Sequence, residues 1–597
     1  MARNLAIEHV AADRLRSGRV PVAALWSAFL FVVLAFLILY PVGMLLLGAF
    51  TTANPAVEGV GLDTLSLANF ASAVTDPTIL VALRNSLVVG LFGTVLALVI
   101  GILFAWIVAR TNTPLKKLVE AAGLMPLFLP PLVGAVAWSL LGSPRTGLLN
   151  TLLRELGFGF KVDMYTMPGI IFVFGIYYAP YVYMFVVSAL KNMDPSLEEA
   201  AQMSGAGHLR TMLTVTFPLI APSIVSAALL TFIVTLGIYG IPAVLGNPGK
   251  ISALTTYMYV LTSWTPPLYN KAAATAFLLI VVTALCTLAQ RRILAGRSYV
   301  TVAGKSFKPK QIDLGGWRWL TLAFSILYTL VVVVLPYAAL LIASFRKYLF
   351  IPTLASLSDL KQYSTMHVER LLEMDLVWRS IWNTLEVGFM AALIGGILSF
   401  ALSFTIHRSA APGRRLLDIV TTIPVAIPGL VIGVGYLWAW ISLPVPLWGT
   451  TLILALALVA RFLPDTTKLL GGSLVQIHRE LEEASWISGT GMLGTIWRIV
   501  LPLTSPGVVA ATTLLVVLSV RELGSSLFLF TNKTIVMSVL MLDLYEGGNA
   551  GGTAAFAVMQ SLILIVLVGL STVLGRIVAR LIARNPRIAP TLSTPGA

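Results

Sequence analysis

The chain alternates long charge-free apolar stretches with short polar ones. Val20–Val57, Asn85–Ala109, Ala121–Pro144, Met164–Leu190 and Ala272–Gln290 contain no Asp, Glu, Lys or Arg. Each supplies the roughly 20 apolar residues that a membrane-spanning helix needs. Thr211–Gly249 and Ile419–Ala460 are too long for one span, and both contain Pro and Gly. The first reads as a span plus a re-entrant or loop segment. The second reads as two spans joined near Leu443–Pro446. The pattern predicts helices near 23–50, 86–109, 119–141, 168–190, 218–245 and 271–290. A second set follows near 319–344, 384–406, 417–441, 450–473, 502–529 and 553–575. That is about twelve transmembrane helices, as six plus six, with Arg461 and Asp465 inside the tenth.

Composition agrees with a bilayer solvent. The chain is 58% hydrophobic and 11% charged, with a mean hydropathy of +0.91. Soluble domains carry about 25% charged residues. The expected fold class is therefore an all-α polytopic membrane protein. The net charge of +15 is read as span-flanking charge, not as a nucleic-acid footprint. Arg14, Arg16 and Arg19 precede the first span, and Arg110, Lys116 and Lys117 follow the second. Arg291, Arg292, Arg297, Lys305, Lys308 and Lys310 lie between the two sets. Arg408, Arg414 and Arg415 follow the eighth span, and Arg576, Arg580, Arg584 and Arg587 the last. Twelve spans put all of these on one side, which the positive-inside rule makes cytoplasmic. Both termini then face the cytoplasm of a bacterial inner membrane. The loop with Arg346, Lys347, Lys361, Arg370 and Arg379 is an exception on the other side. The first apolar run exceeds a signal-peptide core, so it is expected as a retained span. Cys286 is the only cysteine, which excludes an intrachain disulfide and a thiolate cluster.

The two sets repeat each other. Arg84–Gly90 (RNSLVVG) aligns with Trp382–Gly388 (WNTLEVG) at an offset of 298. Pro126 and Pro130 align with Pro424 and Pro428 at the same offset. Further on the offset is 284, so the first half carries 14 extra residues, expected within Ser139–Thr166 on the outer side. Six spans return the chain to its starting side, so the repeats are parallel, about an axis along the membrane normal. The expected division is 1–300 as first repeat, 301–318 as cytoplasmic linker and 319–597 as second repeat.

One polar sentence occurs twice. Glu198–Pro222 reads EEAAQMSGAGHLRTMLTVTFPLIAP, and Glu482–Pro506 reads EEASWISGTGMLGTIWRIVLPLTSP. Each predicts a short helix, a glycine break and a second helix leading into a span. Asp194, Pro195 and Ser196 give helix-start signals. Ala200 and Ala201 allow close approach of another surface. Gly205 and Gly489 permit the sharp turn. Pro218 and Pro502 suit the start of the next helix. Inheritance by duplication explains the likeness alone, but not why these loops match better than most spans. Two matched knobs fit a partner with two sockets. The sentence resembles the EAA loop of type I ABC importer permeases. Glu199, Ala200, Ala201, Gly205 and Pro218 carry the likeness in the first copy, with Phe217 where Leu is usual. Glu483, Ala484, Gly489 and Pro502 carry it in the second, with Ser485 replacing an alanine. The resemblance implies coupling helices near 194–218 and 478–502 that dock on a dimer of ABC ATPase subunits. It also implies a periplasmic or lipid-anchored solute-binding protein. Gly240–Gly246, Arg297–Trp319 and Arg521–Leu529 resemble the fused ferric-iron permeases. Thiamine, 2-aminoethylphosphonate and polyamine permeases are the alternatives within this architecture.

The chain has no engine of its own. Ala303–Ser306 (AGKS) imitates a Walker A, but the first glycine of that motif falls on Tyr299. No catalytic motif is present, and His9, His208, His367, His407 and His478 are not at ligand spacing. The chain is expected to be a translocation subunit, not an enzyme, without metal or cofactor, using ATP and Mg on the partner ATPase. Charges inside spans are costly and face cavities or partners. Arg521 and Glu522 interrupt the eleventh span, where the first half has Gly237 and Ile238. Arg461 and Asp465 stand i,i+4 and are expected to pair; their counterparts are Tyr177 and Tyr181. These six are the candidate pathway residues, with packing as the competing role for the tyrosines. Asn85 and Asn383 recur at matched positions and are expected as helix caps. An ion-driven secondary transporter also has six-plus-six architecture, but it does not call for matched loops. A polytopic membrane enzyme needs a catalytic cluster that is not visible.

Overall fold

The computed structural model describes residues 22–53, 58, 62–294, 311–441, 443 and 447–583. Arg14, Arg16, Arg19, Arg297, Lys305, Lys308, Lys310, Arg584, Arg587, the Ala303–Ser306 sequence and Pro444–Pro446 lie outside the described residues. Among those described the chain is helical, with only isolated β-bridges.

The first set comprises α1 (Val22–Phe50), α2 (Pro77–Arg110), α3 (Lys116–Phe128), α4 (Pro131–Gly142), α5 (Leu148–Glu155), α6 (Met167–Asn192), α7 (Ser196–Met203), α8 (His208–Leu236), α9 (Leu254–Ser263) and α10 (Tyr269–Leu294). The second comprises α11 (Trp317–Phe345), α12 (Asp375–His407), α13 (Arg414–Ala426), α14 (Gly429–Ile441), α15 (Thr451–Val475), α16 (Arg479–Ile487), α17 (Met492–Arg521), α18 (Met537–Glu546) and α19 (Ala550–Ala583). The second set repeats the first in order, without a counterpart of α5. That helix falls inside the extra segment expected in the first half.

Nine helices among the described residues are long and apolar enough to cross a membrane. Two expected spans are not straight. The third, near 119–141, bends by 96° between α3 and α4, and the ninth, near 417–441, bends by 111° between α13 and α14. Pro130 and Pro428 cause this. A proline restricts the residue before it to extended backbone and removes a helical donor, and Leu129 and Ile427 are extended. The tenth expected span forms α15, which is 25 residues long but, with Arg461, Asp465 and Lys468 in it, is not among those nine. The fifth and eleventh end earlier than expected, at Leu236 and Arg521. They also begin earlier, at His208 and Met492. Pro218 and Pro502 therefore lie within α8 and α17, not at their starts. Each follows a π turn, Met212–Thr216 or Ile496–Val500, which makes room for the ring.

The halves are interlocked. The first helix of each set packs on the other set. Phe36 of α1 meets Trp440 of α14 edge-on at 5.0 Å. Phe104 of α2 meets Tyr328 of α11 at 4.8 Å. Prolines build the polar part of this contact. Pro41, Pro336 and Pro180 have no N–H to offer the carbonyl four residues back, which leaves Leu37, Val332 and Ile176 with a free oxygen. In lipid such a group costs several kcal/mol. A tyrosine of the opposite set donates to each: Tyr436 to Leu37 O at 2.7 Å, Tyr177 to Val332 O at 3.3 Å and Tyr328 to Ile176 O at 2.8 Å.

Within each half, small residues let the long helices approach. A Cβ on Gly101 of α2 would lie 2.6 Å from Val182 Cβ of α6, the small-residue contact typical of membrane helices. Asn85 and Asn383 are not caps. They sit inside α2 and α12, and donate to Ser252 O (3.0 Å), and to Lys533 O (2.9 Å) and Ile535 O (2.8 Å). They anchor the segments leading into α9 and α18. At the end of the bundle opposite α7 and α16, α5 touches the second half: Thr151 donates to Ile351 O (3.0 Å), and Glu155 accepts from Leu354 N (2.6 Å).

Candidate coupling loops and central ion pair

Both repeated loops end their short helix in the same way. Gly205 N–H donates to Gln202 O (2.9 Å) and Ala206 N–H to Ala201 O (3.0 Å). Gly489 N–H donates to Trp486 O and Thr490 N–H to Ser485 O, both at 3.0 Å. This is the Schellman pattern, which requires a left-handed residue at the turn. Gly205 has φ +86° and Gly489 +81°. Gly207 and Gly491 are extended and open the next helix.

An arginine holds each loop against the bundle. Arg110, the last residue of α2, places Nε 3.2 Å from both carboxylate oxygens of Glu198, and Thr216 donates to the same carboxylate at 2.7 Å. Arg408, just beyond α12, lies 3.4 Å from Glu482 and donates to Leu474 O and Ile477 O. The side chains are nearly buried, at 1% and 14% exposure in the first pair and 4% and 6% in the second. Sequence reasoning missed these pairs. It treated Arg110 and Arg408 as topological charges and singled out Glu199 and Glu483. The signal was present: the arginines recur at offset 298 and the inner glutamates at 284.

Glu199 and Glu483 are exposed, as are Ala200 and Ala484, while Ala201 is half-buried. Around them each loop presents apolar side chains outward. Met203 is 85% exposed, Leu209 67%, Ile487 88% and Leu493 74%. Met203 matches Ile487 and Leu209 matches Leu493 at offset 284. Exposed apolar surface of this kind marks an interaction site. The first loop has a brace that the second lacks among the described residues. Ile312 N–H donates to Arg110 O (2.8 Å), and Asn112 donates to Asp313 (2.6 Å). The Gly315 N–H and the Asn112 amide hold the Asp313 carboxyl below the usual carboxylate range.

The second group lies at the centre of the bundle. Glu522 pairs with Arg461 at 3.4 Å, so the expected Arg461–Asp465 pair does not form. An i,i+4 spacing permits a pair, but here a partner on another helix takes the arginine. Arg521 and Glu522 terminate α17 instead of interrupting it, and Arg521 donates to Leu127 O at the break between α3 and α4. A Cβ on Gly429, at the start of α14, would lie 2.6 Å from Arg461 and from Glu522. A side chain there would have to displace the ends of both ion-pair partners. A Cβ on Gly237 would lie 2.7 Å from Pro428. The end of α8 and the end of α17 thus each touch the broken helix of the other half. Tyr181 stacks on Tyr178 at 5.7 Å, within electrostatic reach of Arg461, Asp465, Arg521 and Glu522. Tyr177 is not in this group; its hydroxyl faces α11. Among the described residues no group of three or more His, Cys, Asp or Glu is arranged to hold a metal ion.

A membrane-embedded bundle of two interlocked repeats, with matched exposed loops at one end and a charged crossing at its centre, is a transport permease. The chain belongs to the family described as binding-protein-dependent transport system inner membrane component, which matches residues 97–295 and 395–585, more than half of its length. It is similar to the ferric transport system permease protein FbpB of Actinobacillus pleuropneumoniae, with 28% identity over 81% of this chain and 70% of that one. A second protein named for ferric transport, from Haemophilus influenzae, is 26% identical over 80% of this chain and 74% of its own. The molybdenum transport system permease protein ModB of Escherichia coli is 33% identical over 32% of this chain and 81% of its own.

Proposed function

We propose that this chain is the translocation subunit of an ATP-driven importer of ferric iron. The observation that carries the substrate is the similarity, over four fifths of the chain, to two proteins named as ferric transport permeases. The loop end of the bundle faces the cytoplasm, with both termini, and docks a dimer of ABC ATPase subunits. Glu199, Ala200, Ala201, Gly205 and Pro218, with Glu483, Ala484, Gly489 and Pro502, form or shape the two docking knobs. The exposed Met203, Leu209, Ile487 and Leu493 support this reading. ATP and Mg act on that partner. A periplasmic or lipid-anchored binding protein delivers the solute to the opposite end. The chain divides at 1–300, 301–318 and 319–597, and the two sets rock against one another to open either side in turn.

Arg461, Asp465, Arg521, Glu522 and Tyr181 are the pathway residues of this proposal, and Tyr177 is assigned to packing. Iron needs no tight protein site on the way, since the binding protein does the chelation. The test is uptake of radiolabelled ferric citrate under iron limitation. Cells lacking the chain should lose ATP-dependent uptake and recover it on complementation. Unchanged uptake would remove iron as the substrate.

A further inference from the structure

The pseudo-twofold axis can be located from one pair of side chains. Tyr181 and Asp465 are counterparts in the two repeats, at offset 284, and they lie within electrostatic reach of each other. Residues related by a twofold axis approach one another only beside that axis. Asp465 is solvent-exposed on α15, and the cations that act on it are Lys468 and Arg461. It accepts no hydrogen bond from any described residue and forms no ion pair with one.

One turn away on the same face of α15 stands Arg461, whose Nε makes an ion pair with Glu522 but no aligned hydrogen bond. An intramembrane carboxylate without a partner is costly. Arg461 therefore stands between Glu522, which it engages, and Asp465 one turn along α15, which it does not, with Lys468 on the far side of Asp465.

We infer that Arg461 is a tethered counter-ion, which neutralises Glu522 while the pathway is empty and moves to Asp465 when a solute cation takes its place. This rests on the reading of the chain as an importer of a cationic solute. Glu522 is the first carboxylate that the cation meets, at the contact of α17 with the two broken helices. Asp465 is the second, one turn nearer the coupling loops. Arg461 displaced toward Asp465 competes with the cation there and favours its release. Two carboxylates and a competing guanidinium bind a cation weakly, which suits passage. The same arrangement excludes anions from Glu522. Gly429 lets the guanidinium and Glu522 meet against the start of α14.

The experiment compares initial uptake of radiolabelled ferric citrate in cells lacking the chain, complemented with variants at equal membrane abundance. Glu522→Gln and Asp465→Asn should each lower uptake at least tenfold. Arg461→Lys should retain half or more. The double variant Arg461→Gln/Glu522→Gln removes both members of the ion pair and keeps the net charge of the group unchanged, so a purely structural pair predicts recovery. The tethered counter-ion predicts that it stays at least tenfold low. Wild-type uptake in the double variant or in Asp465→Asn overturns the inference while the ferric reading stands. Absence of ferric uptake with the unaltered chain overturns both.

Discussion

At the scale of single residues, two glycines and two arginines shape the repeated loops. A Cβ on Gly205 or Gly489 would meet nothing within 4 Å, so space is not what demands glycine there. The left-handed backbone is, and a branched side chain in it costs about 1–3 kcal/mol. Gly205→Val with Gly489→Val should reduce ferric uptake at least tenfold, whereas asparagine at both positions, which tolerates this conformation, should keep most of it. Full uptake in the valine pair contradicts the assignment. The arginines matter through what they would leave behind. Removing one partner of a buried ion pair typically costs 3–5 kcal/mol. Arg408→Ala strands Glu482 and frees two carbonyls, so it should lower the unfolding temperature of the detergent-solubilised protein more than Arg415→Ala. Arg408→Ala/Glu482→Gln should restore part of the loss.

At the scale of elements, prolines set both the breaks and the joints. Where the preceding residue is extended, as at Leu129 and Ile427, the helix breaks. Where a π turn takes up the ring, as before Pro41, Pro218, Pro336 and Pro502, the helix continues. Sequence alone does not separate these outcomes, because both occur in charge-free apolar runs. The repeated Pro126–Pro130 and Pro424–Pro428 spacing marks special segments without saying that they bend by about 100°. Three of the freed carbonyls join the halves. Hydrogen bonds between membrane helices contribute about 0.6 kcal/mol on average and up to about 1.7. Tyr436→Phe, Tyr177→Phe and Tyr328→Phe together should therefore weaken the joint by about 2–5 kcal/mol. Thermal unfolding of the triple variant against each single one measures this; an unchanged unfolding temperature would show that packing alone holds the halves.

At the scale of the whole molecule, the repeat was legible and the interlock was not. The matched loops and most span positions follow from apolar runs and from two constant offsets, whereas twelve spans were expected and nine helices among the described residues are long and apolar enough, or eleven with the two bent pairs. Packing α1 on the second set and α11 on the first leaves no local trace, since both are apolar all round. The central ion pair was half legible. Arg461, Arg521 and Glu522 stood out as charges in apolar surroundings, but the choice between Asp465 and Glu522 as partner depends on how α15 and α17 meet. The interlock has a mechanical consequence. Each half carries a helix of the other, so movement imposed at one loop reaches both. On the proposed reading, matched loops docked on one partner dimer would act on a single linked frame.

The most direct test of this account is purification of the complex from membranes, with the ABC ATPase subunits counted against this chain. The chain as it stands should retain two ATPase subunits. A variant with Met203, Leu209, Ile487 and Leu493 all changed to Asp should reach the membrane in equal amount and retain none. Two ATPase subunits on that variant, or none on the unaltered chain, would contradict the claim that these loops couple the permease to its engine.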